Sequence, residues 1–274
     1  MAEEPQARAE KNLELARTER FEDEVVIPLK AQAISTEAFV GAGTVRRAML
    51  DDDNAKIAEF RASEDFEKAN DYEARTLEFV LQKMFENKVF GDTVKYAIKT
   101  SDYDDYVRGI DFIIDIGEGD ERVLLGVDAT VSIKPEVLAR KVERNIIAAS
   151  RNTLPAVKYY MDIDGNLQLE ETMPRVILGV DRQTTLRLRN AVLENPGSLD
   201  DDETVKRLIA QMIGQLEFTY HVAKPGSKVQ MKYARALQRL EEMCNEKGLE
   251  LDELGQAFKD DGLVNPHRFV SRVQ

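Results

Sequence analysis

Tryptophan is absent from this chain, and cysteine occurs once, at Cys244. A single cysteine excludes an internal disulfide and any cysteine-built zinc site. Histidine is nearly as scarce, with only His221 and His267. A metal site here would be built from oxygen ligands, which suit magnesium, manganese or calcium. No apolar run reaches the roughly 18 residues of a membrane-spanning helix. The opening MAEEPQARAEKNLELARTER has no apolar segment of the signal-peptide kind. A basic excess is missing too: 51 Asp and Glu stand against 38 Lys and Arg, a net charge of −13. That balance argues against broad, non-specific nucleic-acid binding and leaves room only for a local basic groove. The expectation is a cytoplasmic protein that does not enter a membrane.

What is present is a chain of 274 residues with 43% hydrophobic content, enough for one large domain or a domain with an appendage. Residues 1–62 read as an N-terminal tail and short helices. Within them, 1–22 alternate Glu, Ala and Arg without an apolar stripe, and 25–30 (VVIPLK) suggest a short extended segment. The Gly-x-Gly of VGAGTVRR (40–47) lacks dinucleotide-loop spacing and reads as a turn before a helix. Residues 63–184 read as an α/β core. A helix is predicted over 64–87 from the spacing of Phe66, Ala69, Leu77, Val80, Leu81 and Met84. Strands follow over 93–101, 109–117 and 123–132, then a helix over 135–151 opened by Pro135. Two further strands are predicted over 156–163 and 175–181, the latter apolar throughout, as a strand covered on both sides requires. Residues 185–274 read as a helical C-terminal extension on that core, with helices over 200–223, from 228 onward and over 250–259. His221 reads as structural and His267, in an Asn-Pro-His turn, as exposed.

Three carboxylates stand out. Glu73 lies four residues after Ala69 and four before Leu77, so it falls on the apolar stripe, with Glu78 on a flank. A carboxylate so placed is costly unless paired or bound to a cation. In GIDFIIDIGEGDERVLLGVDATVS (109–132) each arm of a hairpin carries a central aspartate, Asp111 and Asp128. Aspartate is depleted from strands. A two-residue turn at Gly119-Asp120 would set Asp111 opposite Asp128 and Ile113 opposite Gly126. Directly opposed carboxylates repel unless a cation lies between them. The plain alternative is a wet face on which both are solvated or paired with lysines.

The helix with its inward glutamate, the hairpin with Gly-Ile-Asp on one arm and Asp-Ala-Thr on the other, and the helix and strand that follow resemble the PD-(D/E)XK nuclease superfamily. The resemblance covers about residues 64–181 and is strongest to a bacterial group with that core and a helical C-terminal extension. It implies a restriction-endonuclease-like α-β-β-β-α-β core around a central mixed sheet, and metal-dependent hydrolysis of nucleic-acid phosphodiester bonds with one or two Mg²⁺ or Mn²⁺ ions. Asp111 and Asp128 would be metal ligands and catalytic residues, the Ala129 carbonyl a further ligand, and Glu73 the helix glutamate that completes the site. The chain departs from the pattern at the motif lysine, where Thr130 stands. Lys134 or Lys141 would then supply the cation, with Lys95 and Lys99 as weaker options. Arg108, Lys134, Arg140, Lys141 and Arg144 would approach a phosphate backbone. If no lysine serves, the alternative is a catalytically inactive nuclease fold whose partner is a protein.

Overall fold

The computed structural model describes residues 5–63, 72–117, 122–132, 135–162 and 164–250. Among them, nine α-helices and six strands follow in chain order. The N-terminal helices are α1 (Pro5–Phe21), α2 (Ile27–Ala31), α3 (Thr36–Gly41) and α4 (Arg47–Arg61). Next come α5 (Tyr72–Glu86), β1 (Val94–Lys99), β2 (Phe112–Ile116), β3 (Val123–Val131) and α6 (Pro135–Ser150). The chain continues with β4 (Ala156–Met161), β5 (Leu167–Thr172), β6 (Arg175–Val180), α7 (Arg182–Glu194), α8 (Glu203–Val222) and α9 (Lys228–Glu246). The architecture is mixed α/β.

The central sheet runs β1-β2-β3-β6. Its first two pairings are antiparallel and the last, β3 with β6, is parallel, so the sheet is mixed. The apolar run 175–181 belongs here as expected: Val176, Ile177 and Leu178 are buried beside β3. The segment 156–163 does not join this sheet. It pairs with β5, a strand not expected from the sequence, as a separate antiparallel hairpin. The reason is local alternation: it identifies a strand but not its neighbour.

The hairpin register agrees with the expectation over its central part, with Ile113 opposite Gly126 and Ile116 opposite Val123. The Gly119-Asp120 turn lies outside the described residues. At the other end the register holds through Phe112 and breaks at Asp111. Phe112 pairs with Val127, and the Asp111 N–H donates to the same Val127 carbonyl at 2.8 Å. Two residues facing one is a β-bulge, and it breaks the alternation of side chains. Ile110 therefore packs with Ile113 beneath the β4–β5 hairpin, while Phe112 and Ile114 enter the main core. Asp111 is thus not opposed to Asp128 by simple alternation. A second irregularity, between Val94 and Tyr96 in β1, buries Val94, Ala97 and Lys99 and exposes Tyr96, where alternation predicts Tyr96 and Ile98 to share a face with Val94.

The main core joins α5 (Leu77, Val80, Leu81, Met84), the sheet, α6 (Leu138, Val142, Ile146, Ala149) and α8 (Leu208, Met212, Leu216). The C-terminal helices close the sheet in an unusual way. β6 is an edge strand, and an open edge carries unpaired backbone groups. Gln211 of α8 accepts from Gly179 N–H and donates to its carbonyl, each at 3.0 Å. Gln215, one turn on, does the same at Ile177, at 2.9 and 2.7 Å. Two side-chain amides so replace a neighbouring strand. Residues beyond 250, including the helix predicted there and His267, lie outside the described residues.

Residues 1–22, expected as a tail or frayed helix, are helical over Pro5–Phe21, and the segment expected to be extended at 25–30 is helical as well. Docking rather than amphipathic periodicity orders them. Phe21, Val25, Val26 and Leu29 enter the main core. The fully buried Arg189 of α7 donates to Glu14 at 2.7 Å and to the Tyr72 hydroxyl at 3.0 Å. No described helix is long and apolar enough to cross a membrane.

Candidate active site

The ends of β1, β2 and β3 that carry Lys99, Asp111 and Asp128 meet at one cavity of about 960 Å³. Its floor is buried and polar. Asp128 is 6% exposed, Lys99 7%, Thr130 8% and Glu78 9%. Around it stand nine Lys and Arg residues against five Asp and Glu. A wall with more basic than acidic groups, in a chain of net charge −13, is a local reversal of sign.

The bulge aims Asp111 into this space and ties it to β3: its Oδ2 accepts from the Ala129 N–H at 2.6 Å. Gly109 makes the entry to β2 with a φ of +69°, a conformation that favours glycine. There Arg175 reaches in and donates to the Arg108 and Gly109 carbonyls at 2.9 and 3.2 Å. Asp128 and Thr130, two apart on β3, are joined by a hydrogen bond from the Thr130 hydroxyl to Asp128 Oδ1 at 3.2 Å. From α6, the Lys141 ammonium donates to Asp128 Oδ1 and to Thr130 Oγ1, at 2.7 Å each. Leu138 and Val142, on either side of Lys141 in sequence, are core residues, so burial of their stripe sets where Lys141 points. Lys134 lies outside the described residues.

A second lysine holds the other side of the floor. Lys99 sits 2.6 Å from Glu78 Oε1, out of line for a hydrogen bond, and donates to Asp105 at 2.6 Å. It also donates to the Asp111 carbonyl at 3.2 Å. Burial alone would lower the Lys99 pKa, but Glu78, Asp105 and Asp111 outweigh it and hold the ammonium above the usual lysine value. The carboxylates bear the opposite consequence. Burial, opposed by Lys99 and assisted by Asp105, pushes Glu78 up to about 7. Burial and then the charges of Asp105, Asp128 and Glu78 push Asp111 well above the usual carboxylate range. Burial first, and the crowding of carboxylates second, make the floor retain protons.

Glu73 is not part of this site. It is buried as its place on the stripe requires, but it pairs with Arg182 at the start of α7 and does not line the cavity. Glu78, five residues along and on a flank by periodicity, is the helix glutamate that does. The reason is the rotation of α5 on the sheet, which sequence spacing does not give. Arg108, Arg140 and Arg144 line the cavity with Lys141. Asp105 had no signal in the sequence, since it comes from an irregular π-helical turn at Asp104–Arg108. Among the described residues, no group of three or more His, Cys, Asp or Glu side chains is placed to hold a metal ion.

No protein-family model, curated protein or solved structure matches this chain.

Proposed function

We propose that this protein is a nuclease-like hydrolase of nucleic-acid phosphodiester bonds, built on a restriction-endonuclease-like core. Support for that core is the succession α5, β1, β2, β3, α6 and β6, with β6 parallel to β3. The β4–β5 hairpin is then an insertion before the last strand. One observation carries the functional reading: a lysine ammonium bridges Asp128 and Thr130 at the wall of a locally basic cavity. The motif asks for a lysine where Thr130 stands, and Lys141 brings the cation to that point from the next helix.

Magnesium or manganese is the cofactor this reading implies. The donor chemistry fits, because Glu78, Asp105, Asp111 and Asp128 line one cavity and crowded carboxyl oxygens suit a hard divalent cation. Asp111 and Asp128 would hold the ion, with the Ala129 carbonyl as a further oxygen. When bound, such an ion neutralises charge at the phosphate and acidifies water. The chain's own groups supply the remaining functions. Lys141 places a fixed positive charge where phosphate oxygens gather negative charge, a donor role worth about 100- to 1000-fold in rate at comparable sites. Thr130 holds that ammonium in place, and Arg108, Arg140 and Arg144 meet the flanking phosphates.

The test is incubation of the purified chain with Mg²⁺ or Mn²⁺ and end-labelled DNA and RNA, single- and double-stranded, beside Asp128→Asn and Lys141→Ala. Metal-dependent cleavage lost in both variants is expected. Absence of cleavage with every substrate and both metals overturns the enzymatic reading. An inactive nuclease fold that binds a protein is the second reading, favoured by the engagement of Asp128 Oδ1 with Lys141 and Thr130. It predicts no cleavage and no thermal response to either metal.

A further inference from the structure

The cavity carries more than a reaction centre. Two of its lining residues, Phe60 at the last turn of α4 and Tyr106 in the π-helical turn, stack with centroids 5.5 Å apart and planes 18° from parallel. The Arg61 guanidinium lies 5.4 Å from the Tyr106 centroid and is held by Asp102 at 2.8 Å. Beside them Val107, 39% exposed, gives an apolar edge. Both rings are partly exposed. Neither belongs to a strand or helix of the α-β-β-β-α-β succession. Aromatic rings interleaved with guanidinium groups are the surface on which unpaired bases stack, because every base has a π-face.

Size points the same way. A cavity of 960 Å³ is about 12 Å across if it is roughly spherical, the upper end of sites that enclose a small ligand. The major groove of B-form DNA is by itself about 12 Å wide. The floor groups Asp128, Lys99, Thr130 and Glu78 are each under a tenth exposed, and a phosphate must enter the cavity to meet them.

We infer that the substrate of this site is a single strand, or the unpaired end, of a nucleic acid, with a base stacked on the Phe60–Tyr106–Arg61 surface and its phosphate on the floor below. The inference rests on the nuclease reading above and narrows it. Arg140, Lys141 and Arg144 on α6 and Arg175 on β6 line the cavity with it and give the backbone its counter-charges. The flexible strand bends to bring one phosphate inward, which a stacked duplex resists.

The experiment uses the full chain carrying Asp128→Asn, so that any bound strand stays intact. Fluorescence anisotropy is recorded at one fixed salt concentration with a labelled mixed-sequence 12-mer as single-stranded DNA, single-stranded RNA and blunt DNA duplex. At least one single strand is expected to bind ten-fold or more tighter than the duplex, and the two single-stranded arms distinguish DNA from RNA. Adding Tyr106→Leu, which keeps apolar volume and removes the ring, or Phe60→Leu is expected to weaken single-strand binding about five-fold or more and leave duplex binding unchanged. Duplex binding as tight as single-strand binding overturns the inference, and so does full single-strand affinity in both ring variants. If the wild-type chain also cleaves duplex with metal, the nuclease reading stands while this one falls. Binding of none of the three probes overturns both.

Discussion

The Lys141 ammonium donates to Asp128 Oδ1 at 2.7 Å across thirteen positions of sequence, from a helix to the strand before it. The same nitrogen is 2.7 Å from Thr130 Oγ1. The lysine side chain is one-third exposed, so solvent screens this ion pair and its contribution to folding is modest. Its value is positional. Lys141→Ala is expected to lower phosphodiester cleavage about 100-fold or more, with a melting temperature close to that of the parent. Thr130→Lys introduced into Lys141→Ala returns the cation along the strand itself and is expected to recover part of the rate. A Lys141→Ala chain that cleaves at the parent rate removes Lys141 from the chemistry.

Asp111 and Asp128 make the metal response testable without a substrate. Thermal melts in Mg²⁺ or Mn²⁺ against chelator are expected to show stabilisation that grows with cation concentration, as binding to the native state alone requires. Asp128→Asn is expected to abolish that rise. A melting temperature indifferent to both cations in the parent contradicts the two-aspartate site.

Glu78 gives the stability a pH dependence of unusual sign. Its carboxyl is pushed up to about 7 in the native chain, against about 4.3 for an unperturbed glutamate. Between those values the native state keeps a proton that the unfolded state has lost, so stability falls as pH rises through that window. Asp104 and Asp115, raised by burial, act in the same direction. Asp181, held low by the Thr184 hydroxyl and helix-start N–H groups, and Asp202, held low first by Arg187, weaken the native state only under more acidic conditions. Urea midpoints are therefore expected to be higher at pH 5 than at pH 7, and Glu78→Gln to reduce the difference. A midpoint that climbs from pH 5 to pH 7 refutes this assignment.

Gln215 seals the edge of β6 at Ile177 from a buried position. Gln215→Leu keeps most of the volume but strands a buried N–H and a buried carbonyl. At about 1–3 kcal/mol for each unsatisfied group, a loss of about 2 kcal/mol or more in urea unfolding is expected. Gln211→Leu, which faces Gly179 in the same way, is expected to cost a similar amount. Losses under about 0.5 kcal/mol in both variants would mean that the amides are dispensable.

The sequence by itself determined the elements and their buried faces. The apolar stripe of α5, the hairpin register from Ile113–Gly126 to Ile116–Val123, and the α6 face of Leu138, Val142 and Ile146 follow from periodicities of 3.6 and 2. Strand alternation also set Asp111 and Asp128 apart, and the resemblance to the nuclease motif added Lys141. The periodicities carry no information about what meets across elements. The bulge that turns Asp111 into the cavity, the rotation of α5 that offers Glu78 and leaves Glu73 with Arg182, and the partnership of Lys99 with Glu78 and Asp105 were decided by tertiary packing. So were the separation of β4 and β5 from the main sheet and the placement of Phe60 against Tyr106. The physical reason is common to all of them. A side chain's face is a local property of the backbone, while its partner is fixed only when distant elements exclude water between them and the buried charges must find each other.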